Sequence, residues 1–590
     1  MNRAAIIGSL DREVMKRISA YVAFAAPLLL GLVVFLLTAP FDPDPHHDGF
    51  QFAVATGIAD GFYLYRDVFD QYGPVTAWLQ GLELHLFGGQ LLVLRVGNAL
   101  VLAVTAGLLA VLLRRHIQST VLAVAVASTW VMASPDWSVY PGLFSAWPWP
   151  SAVLGLVTLV CLLSLERGLR GQKKWLFAAG FAAAVALFTR WPQGVLIILV
   201  SILILLVFRD SCGSRSRSIT SWLAGLISFT MAAGGYLFYQ GSFADMVFQT
   251  VIEPMSIYSL GSDLNFVVLY YGYGSVAAAV VIGSAFVFIS TTSQDGLRSR
   301  VTVARLSLFV ISGAMFLCLV GALLFVGFGS LGLASTPFDP VLKDYQGAID
   351  VLAMSPLLLA AALTPLFFLI FIARKVIRRV QLRGYPELAP PRMVLACFAL
   401  LSLAQLYPIA DVYHLWWAVP IPLAYVVTAA FGQFGRLRAL SGPVFAVALI
   451  PFLVLGFIRF DRELALPRSE INNSALAGMY VSVDRLSAVD GVTQVLSSYR
   501  GNQVDYYCRD GLVSAWFGRF QSSTPAFVDW AWLKSAPVMR AQVSVICAAD
   551  RREADGVAAY RDSHVISQAP FILNLSEFSA FQLFVAERNR

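Results

Sequence analysis

Residues 40–50 read PFDPDPHHDGF, a loop that gathers three aspartates and two adjacent histidines directly after a long apolar run. Asp42 and Asp44 form a D-x-D, the spacing by which paired carboxylates can hold a divalent metal through oxygen. Pro43 between them fixes φ, and each residue before a proline is biased to extended geometry, so the pair could equally be a stiff, hydrated exit from the preceding segment. His46 and His47 could contact a phosphate or a hydroxyl-bearing acceptor, or simply face water at an interface. Asp48 sits just before a helical pattern, where Asp is a favoured N-cap. A second polar cluster comes late, in QLYPIADVYHLWWAVP (405–420), where Asp411 and His414 are spaced i, i+3 and could share one helical face.

What must position these groups is a membrane. The chain of 590 residues is 58% hydrophobic and 13% charged, with mean hydropathy +0.71; a soluble domain is typically about 45–50% apolar and about 25% charged. About thirteen segments have the ~20-residue apolar length of a membrane span: 21–39, 91–113, 119–134, 150–166, 175–189, 192–208, 219–239, 266–290, 304–328, 351–373, 393–408, 414–431 and 443–459. The first lacks a cleavage pattern and reads as an anchor. The net charge of +7 does not point to nucleic acid, because Lys and Arg fall in short tracts between apolar runs. Arg114–Arg115, Arg167 to Lys174 and Arg374 to Arg379 alternate with loops that hold only Arg66, Arg95, Arg190 and Lys343. The positive-inside rule then puts the N-terminus in the cytoplasm and the 40–50 loop outside. The six cysteines show no CxxC pair and no zinc spacing.

Residues 1–459 read as the transmembrane domain, with a first outer loop over 40–90. In that loop Phe50, Ala53, Val54 and Ile58 predict a short helix over 49–60. Val75, Trp78, Leu79, Leu82 and Leu86 predict an amphipathic helix lying on the bilayer, with Pro74 in its first turn and Gly88–Gly89 at its end. Residues 460–590 change composition. Short strand-like runs at 503–508, 543–547 and 581–586 alternate with helix-like stretches, which predicts a small extracytoplasmic α/β domain. Cys508 and Cys547 lie there, either bridged or as two thiols on neighbouring strands.

With these pieces in place the sequence resembles a known family. Asp48–Gly49, the stretch Gly61–Pro74 (GFYLYRDVFDQYGP), Arg95–Asn98 (RVGN) and the 405–420 segment are similar to polyprenol-phosphate-sugar glycosyltransferases of the GT-C class, near the aminoarabinose-transferase and protein-mannosyltransferase branch. The resemblance implies a mainly α-helical polytopic membrane protein of the cell membrane with a GT-C-like transmembrane domain. It implies a hexosyl- or pentosyltransferase that moves a sugar from a polyprenyl-phosphate donor to a glycan, lipid or protein acceptor of the cell envelope. Such chemistry needs a base for the acceptor hydroxyl, and Asp48 is the candidate. It needs cations for the departing lipid phosphate, and Arg95, Arg190, Lys343 and His414 are the candidates. The alternatives for these cations are snorkelling side chains or structural ion pairs. His46, His47, Tyr72 and Asp411 are candidate substrate contacts. Trp78, Trp147, Trp149, Trp416 and Trp417 could stack on sugar or belong to the aromatic belt. Arg66, among Asp60, Asp67 and Asp70, reads as a local pair. No cofactor is required; a divalent metal on Asp42 and Asp44 stays an open reading. A ligase or polymerase with a lipid-diphosphate donor is the nearest rival. Transport is disfavoured, because the acidic groups crowd one face and no internal repeat is visible.

Overall fold

The computed structural model describes residues 3–44, 47–135, 146–207, 215–252, 254, 345–382, 390–406, 412–431, 438–472, 474–482, 504–507, 543–548, 563–576 and 579–588. The chain divides into two compact units. One contains Met1–Leu112, Val139–Ser259 and Phe460–Arg590; the other contains Leu113–Ser138 and Leu260–Arg459.

The first unit opens with helix α1 (Arg3–Thr38), which keeps its course through Pro27. After it come α2 (His47–Ala59) and α3 (Pro74–Phe87), then α4 (Leu91–Ile117), whose residues up to Leu112 belong here. Glycine makes the α1–α4 contact close: a Cβ at Gly31 would stand 3.0 Å from the Ala103 backbone. In α2 the sequence pattern suggested one apolar side, but Asp48 to Ala55 are all buried, so the helix is packed around most of its circumference. In α3 the later part of the expected stripe faces away from the protein, while Val75 at its start is buried. Leu79, Leu82 and Leu86 are exposed, while Ala77, Gln80, Gly81 and Leu84 are buried. Gly81 lets α2 come close, since a Cβ there would meet Ile58 Cγ2 at 2.5 Å. Pro74 starts α3, and Gly88 ends it at φ 109°, a conformation open to glycine.

Helices α6 (Pro150–Leu169), α7 (Lys173–Leu187), α8 (Trp191–Val207) and α9 (Arg215–Tyr239) follow. Helices α7 and α9 cross at two facing glycines: a Cβ on Gly180 would strike the Trp222 carbonyl, and one on Gly225 the Phe177 carbonyl. Small residues at a crossing let backbones approach where no hydrophobic force drives helices together. A short α10 (Phe243–Val247) runs into a π-turn at Phe248–Ile252.

In the second unit stand α5 (Thr120–Met132), α11 (Tyr345–Leu382), α12 (Pro390–Ser402), α13 (Val412–Ala418), α14 (Pro420–Phe431) and α15 (Arg438–Ala465), the last reaching into the first unit after Arg459. The single span expected over 414–431 is broken, with Pro420 opening a new helix. Trp130 and Trp416 stack with centroids 5.0 Å apart. Each indole N–H donates to the other residue's carbonyl at 3.0 Å. Each bond contributes about 1 kcal/mol net. Fully buried Arg459 donates to the carbonyls of Met132 and Ser134, closing the end of α5.

Four helical stretches among the described residues are long and apolar enough to cross a membrane: Arg17–Thr38, Leu91–Ile117, Pro150–Leu169 and Arg217–Tyr239; shorter apolar helices accompany them. The spans expected over 266–290 and 304–328 lie outside the described residues.

Beyond α15, strands β1 (Arg468–Glu470) and β2 (Tyr480–Ser482) pair antiparallel. Strands β3 (Val504–Tyr507), β4 (Val543–Ala548), β5 (Ser563–Ser576) and β6 (Ser579–Arg588) form one sheet in the order β3-β4-β6-β5. Only β3–β4 is parallel. Strands β3, β4 and β6 coincide with the runs read from sequence, and β5 is a strand that reading did not name. Cys508 and the helix-like stretches between the strands lie outside the described residues.

Candidate functional site

The site grows from the turn into α2. Asp44 Oδ1 accepts the N–H of His47 at 2.6 Å, and Asp48 Oδ2 reaches back to accept the N–H of Asp44 at 2.6 Å. This reciprocal exchange resembles a capping box. The capping role expected of Asp48 therefore falls to Asp44, and Asp48 keeps a carboxylate inside the first turn.

That carboxylate is fully buried against Arg95 on α4. Arg95 Nε lies 3.1 Å from both Asp48 oxygens, and Nη2 lies 2.5 Å from Oδ2. Nη1 donates to the carbonyls of Ala39 (2.9 Å) and Phe41 (2.5 Å), and Nη2 also reaches that of Asp42 (3.1 Å). The guanidinium's five N–H groups thus have protein acceptors on three sides. Burial raises the Asp48 carboxyl above the ordinary carboxylate value, and Arg95 opposes that rise. Oδ1 is the less committed oxygen: Arg95 Nε donates to it, and both short bonds fall on Oδ2.

The D-x-D does not face one ligand. Asp42 adopts a left-handed φ of 42°. Its carboxylate accepts from Arg468 Nε at 2.6 Å and from the Ser482 N–H at 3.0 Å. Asp44 turns to His47, whose Nδ1 is 3.2 Å from Oδ1. Among the described residues no group of three or more His, Cys, Asp or Glu could hold a metal ion.

From His47 an aromatic chain leads across the unit. Its ring stacks on Trp147 at 4.3 Å and meets Trp149 edge-on at 4.8 Å. Trp149 meets Tyr72 at 5.2 Å. The Tyr72 ring lies 5.5 Å from the Arg190 guanidinium, and Arg190 Nη1 donates to Ser151 Oγ at 2.7 Å. The Trp147–Trp149 segment is pinned by side chains from two helices: Asn98 donates to the Trp147 carbonyl and Gln80 to the Pro148 carbonyl. In the RVGN stretch, then, Arg95 grips Asp48 and Asn98 grips the tryptophan segment. Gly73 allows Tyr72 to approach Arg190. Its N–H donates to the Thr189 carbonyl at 3.1 Å, and a side chain there would strike the Phe188 backbone.

Asp42, Asp44, His47, Asp48, Tyr72, Arg95 and Arg190 are therefore joined by contacts within the first unit. His414 lies in the second unit, buried on α13 with its ring 5.5 Å from Trp417. His46, Lys343 and Asp411 lie outside the described residues. Trp78 sits apart, edge-on to Tyr236. Arg66 pairs with Asp67 at 3.0 Å, as its neighbours in sequence suggested. Asp70 does not join that pair. It is buried, its Oδ1 accepts the Tyr72 N–H at 2.9 Å, and burial pushes its carboxyl well above the usual range. The reading of the sequence gave no role to Ser151, Asn98, Gln80 or Arg468. Of these only Asn98 carried a signal, through the RVGN stretch.

Residues 71–236 match a family profile described as dolichyl-phosphate-mannose-protein mannosyltransferase. The match covers Tyr72, Arg95, Trp147, Trp149 and Arg190 and agrees with the resemblance read from the motifs. Among solved structures, the chain is similar to ArnT from Cupriavidus metallidurans bound to undecaprenyl phosphate, at 15% identity, over 96% of this chain and 97% of that one, with a TM-score of 0.42. No curated protein matches. The family match and the apolar helices together support a multi-pass membrane protein.

Proposed function

We propose that the chain is a membrane glycosyltransferase that moves a sugar from a polyprenyl-phosphate donor to a glycan, lipid or protein acceptor on the outer face of the cell membrane. Some thirteen spans, with the N-terminus inside, belong to this reading, as does an extracytoplasmic α/β domain over 460–590. The observation that carries it is the buried Asp48–Arg95 pair, linked by contacts to Arg190 inside the region that matches the mannosyltransferase family.

In this mechanism the acceptor oxygen attacks the anomeric carbon of the donor sugar. The bond from that carbon to the phosphate oxygen breaks, and the polyprenyl phosphate leaves with the electron pair. The acceptor proton passes to Asp48 Oδ1. A carboxylate whose pKa is raised by burial is a stronger base than one in water, which suits proton removal near neutral pH. In this reading the donors of Arg95 hold the base in place, and the leaving phosphate falls to Arg190. Because Asp48 is fully buried, an acceptor reaches Oδ1 only when the groups that cover it shift.

The test is transfer by the purified full-length protein from polyprenyl-phosphate mannose and polyprenyl-phosphate arabinose, beside the corresponding diphosphates. Turnover with a monophosphate and loss of it in Arg190→Gln are expected. Turnover with the diphosphates alone would shift the assignment to a ligase or polymerase.

A further inference from the structure

The chain that follows α15 returns to the first loop. Backbone bonds tie the two together: the Asp42 N–H donates to the Tyr480 carbonyl at 2.7 Å, and the Tyr480 N–H donates to the Pro40 carbonyl at 2.8 Å. Phe41 and Tyr480 thus form a bridge on the side of β2 away from β1. At the centre lies Arg468, its side chain 4% exposed. Its Nε bonds Asp42 Oδ2 at 2.6 Å, Nη1 bonds the Glu463 carbonyl at 2.6 Å, and Nη2 pairs with the Glu463 carboxylate. The guanidinium also lies 4.3 Å from the centre of the Phe41 ring. Asp42 is the residue in the left-handed conformation, so its position depends on these contacts. Phe41 and Asp42 supply two of the three backbone carbonyls that hold Arg95.

We infer that Arg468 is a positioning residue of the site: by clamping Asp42 and Phe41 against the β1–β2 pair it fixes the carbonyls that orient Arg95, and through Arg95 the carboxylate of Asp48. The chain runs Glu463, Arg468, Asp42, Arg95, Asp48, with every link a hydrogen bond or ion pair inside one compact unit. It gives the segment 463–482 a role in aligning the reacting carboxylate. The inference rests on the proposed role of Asp48 for its catalytic meaning, while the geometry it claims can be tested apart from turnover.

The experiment uses the full-length protein in detergent micelles, with Arg468→Lys, Arg468→Gln and Asp42→Asn. Amide hydrogen exchange reads the positioning directly. In Arg468→Gln the amides of Asp44 and His47 are expected to exchange about tenfold faster or more, with those of α7 unchanged. With polyprenyl-phosphate mannose as donor, kcat is expected to fall about 10- to 100-fold while the donor KM stays within about twofold, since orientation rather than donor binding is lost. Arg468→Lys keeps the charge and recovers part of both effects. Asp42→Asn keeps a residue that tolerates the left-handed conformation and removes only the charge, so it reports on the clamp if Arg468→Gln fails to fold. If β1 and β2 loosen while the Asp44 and His47 amides keep their parent rates, the inference is overturned. If Asp48→Asn remains active, the role of the base falls and the exchange result still decides the clamp.

Discussion

Asp48 shows how far one residue's surroundings alter its meaning. Burial raises its carboxyl and the Arg95 guanidinium lowers it, with burial the larger influence. A general base must be ionised, so turnover should fall as pH drops through this raised pKa. The acidic limb of the pH–rate profile is expected above the ordinary Asp value of about 3.9. Arg95→Gln removes the main opposing influence and should move that limb further up; a limb unmoved in this variant would separate Asp48 from catalysis. Asp48→Asn should cut turnover about 100- to 10,000-fold. It should also unsettle the fold, because a buried pair broken on one side costs about 3–5 kcal/mol. Thermal unfolding of Asp48→Asn beside the double variant Asp48→Asn/Arg95→Met checks this, the double variant regaining part of the loss. The family resemblance at Asp48–Gly49 singled out Asp48, whose place before a helical pattern by itself suggested a cap. The sequence could not show that Arg95, 47 residues away, spends its donors on Asp48 instead of a phosphate. Nor could it show that the two aspartates of the D-x-D turn to different partners, since that follows from the left-handed Asp42.

At the scale of elements, α3 and α7 carry the clearest tests. Glu83 on α3 lies against α4, where a Cβ on Gly97 would come 2.5 Å from its Oε1. Burial pushes its carboxyl from 4.5 up to about 7. A carboxyl raised in the folded state contributes stability that is complete below its unfolded value and lost as pH rises through the folded one. The unfolding temperature of the parent is therefore expected to fall between pH 4.5 and about 7 relative to Glu83→Gln, and parallel curves would remove Glu83 as the cause. On α7, Gly180→Ala would drive a methyl into the Trp222 carbonyl, so the α7–α9 crossing must separate. A loss of about 1–3 kcal/mol is expected, read as a lower unfolding temperature. The helices themselves were legible, because apolar runs of this length have few other solutions. The partner of α3 was not: its apolar stripe was plain in the sequence, but nothing there showed that the face carrying Ala77 and Gly81, where small residues admit α2, would be the packed one.

For the molecule as a whole, the alternation of Lys and Arg between spans makes a prediction about orientation. Asp60 in the first loop and Arg170 after α6 are both exposed. In intact cells a membrane-impermeant maleimide should label Asp60→Cys and leave Arg170→Cys unlabelled until the membrane is opened; the reverse pattern would invert the topology. Composition and period determined by themselves that this is a helical membrane chain, and where most described helices run, because the hydrophobic and backbone hydrogen-bonding requirements of a bilayer act locally along the sequence. The motifs were enough to find the first loop and the resemblance that the family match later met. Tertiary structure alone decided the long-range partners of the buried guanidiniums. Arg95 to Asp48, Arg468 to Asp42 and Arg190 to Ser151 join residues 47, 426 and 39 positions apart. A buried guanidinium takes whichever acceptors the packed backbone brings within about 3 Å, and no local pattern encodes that choice.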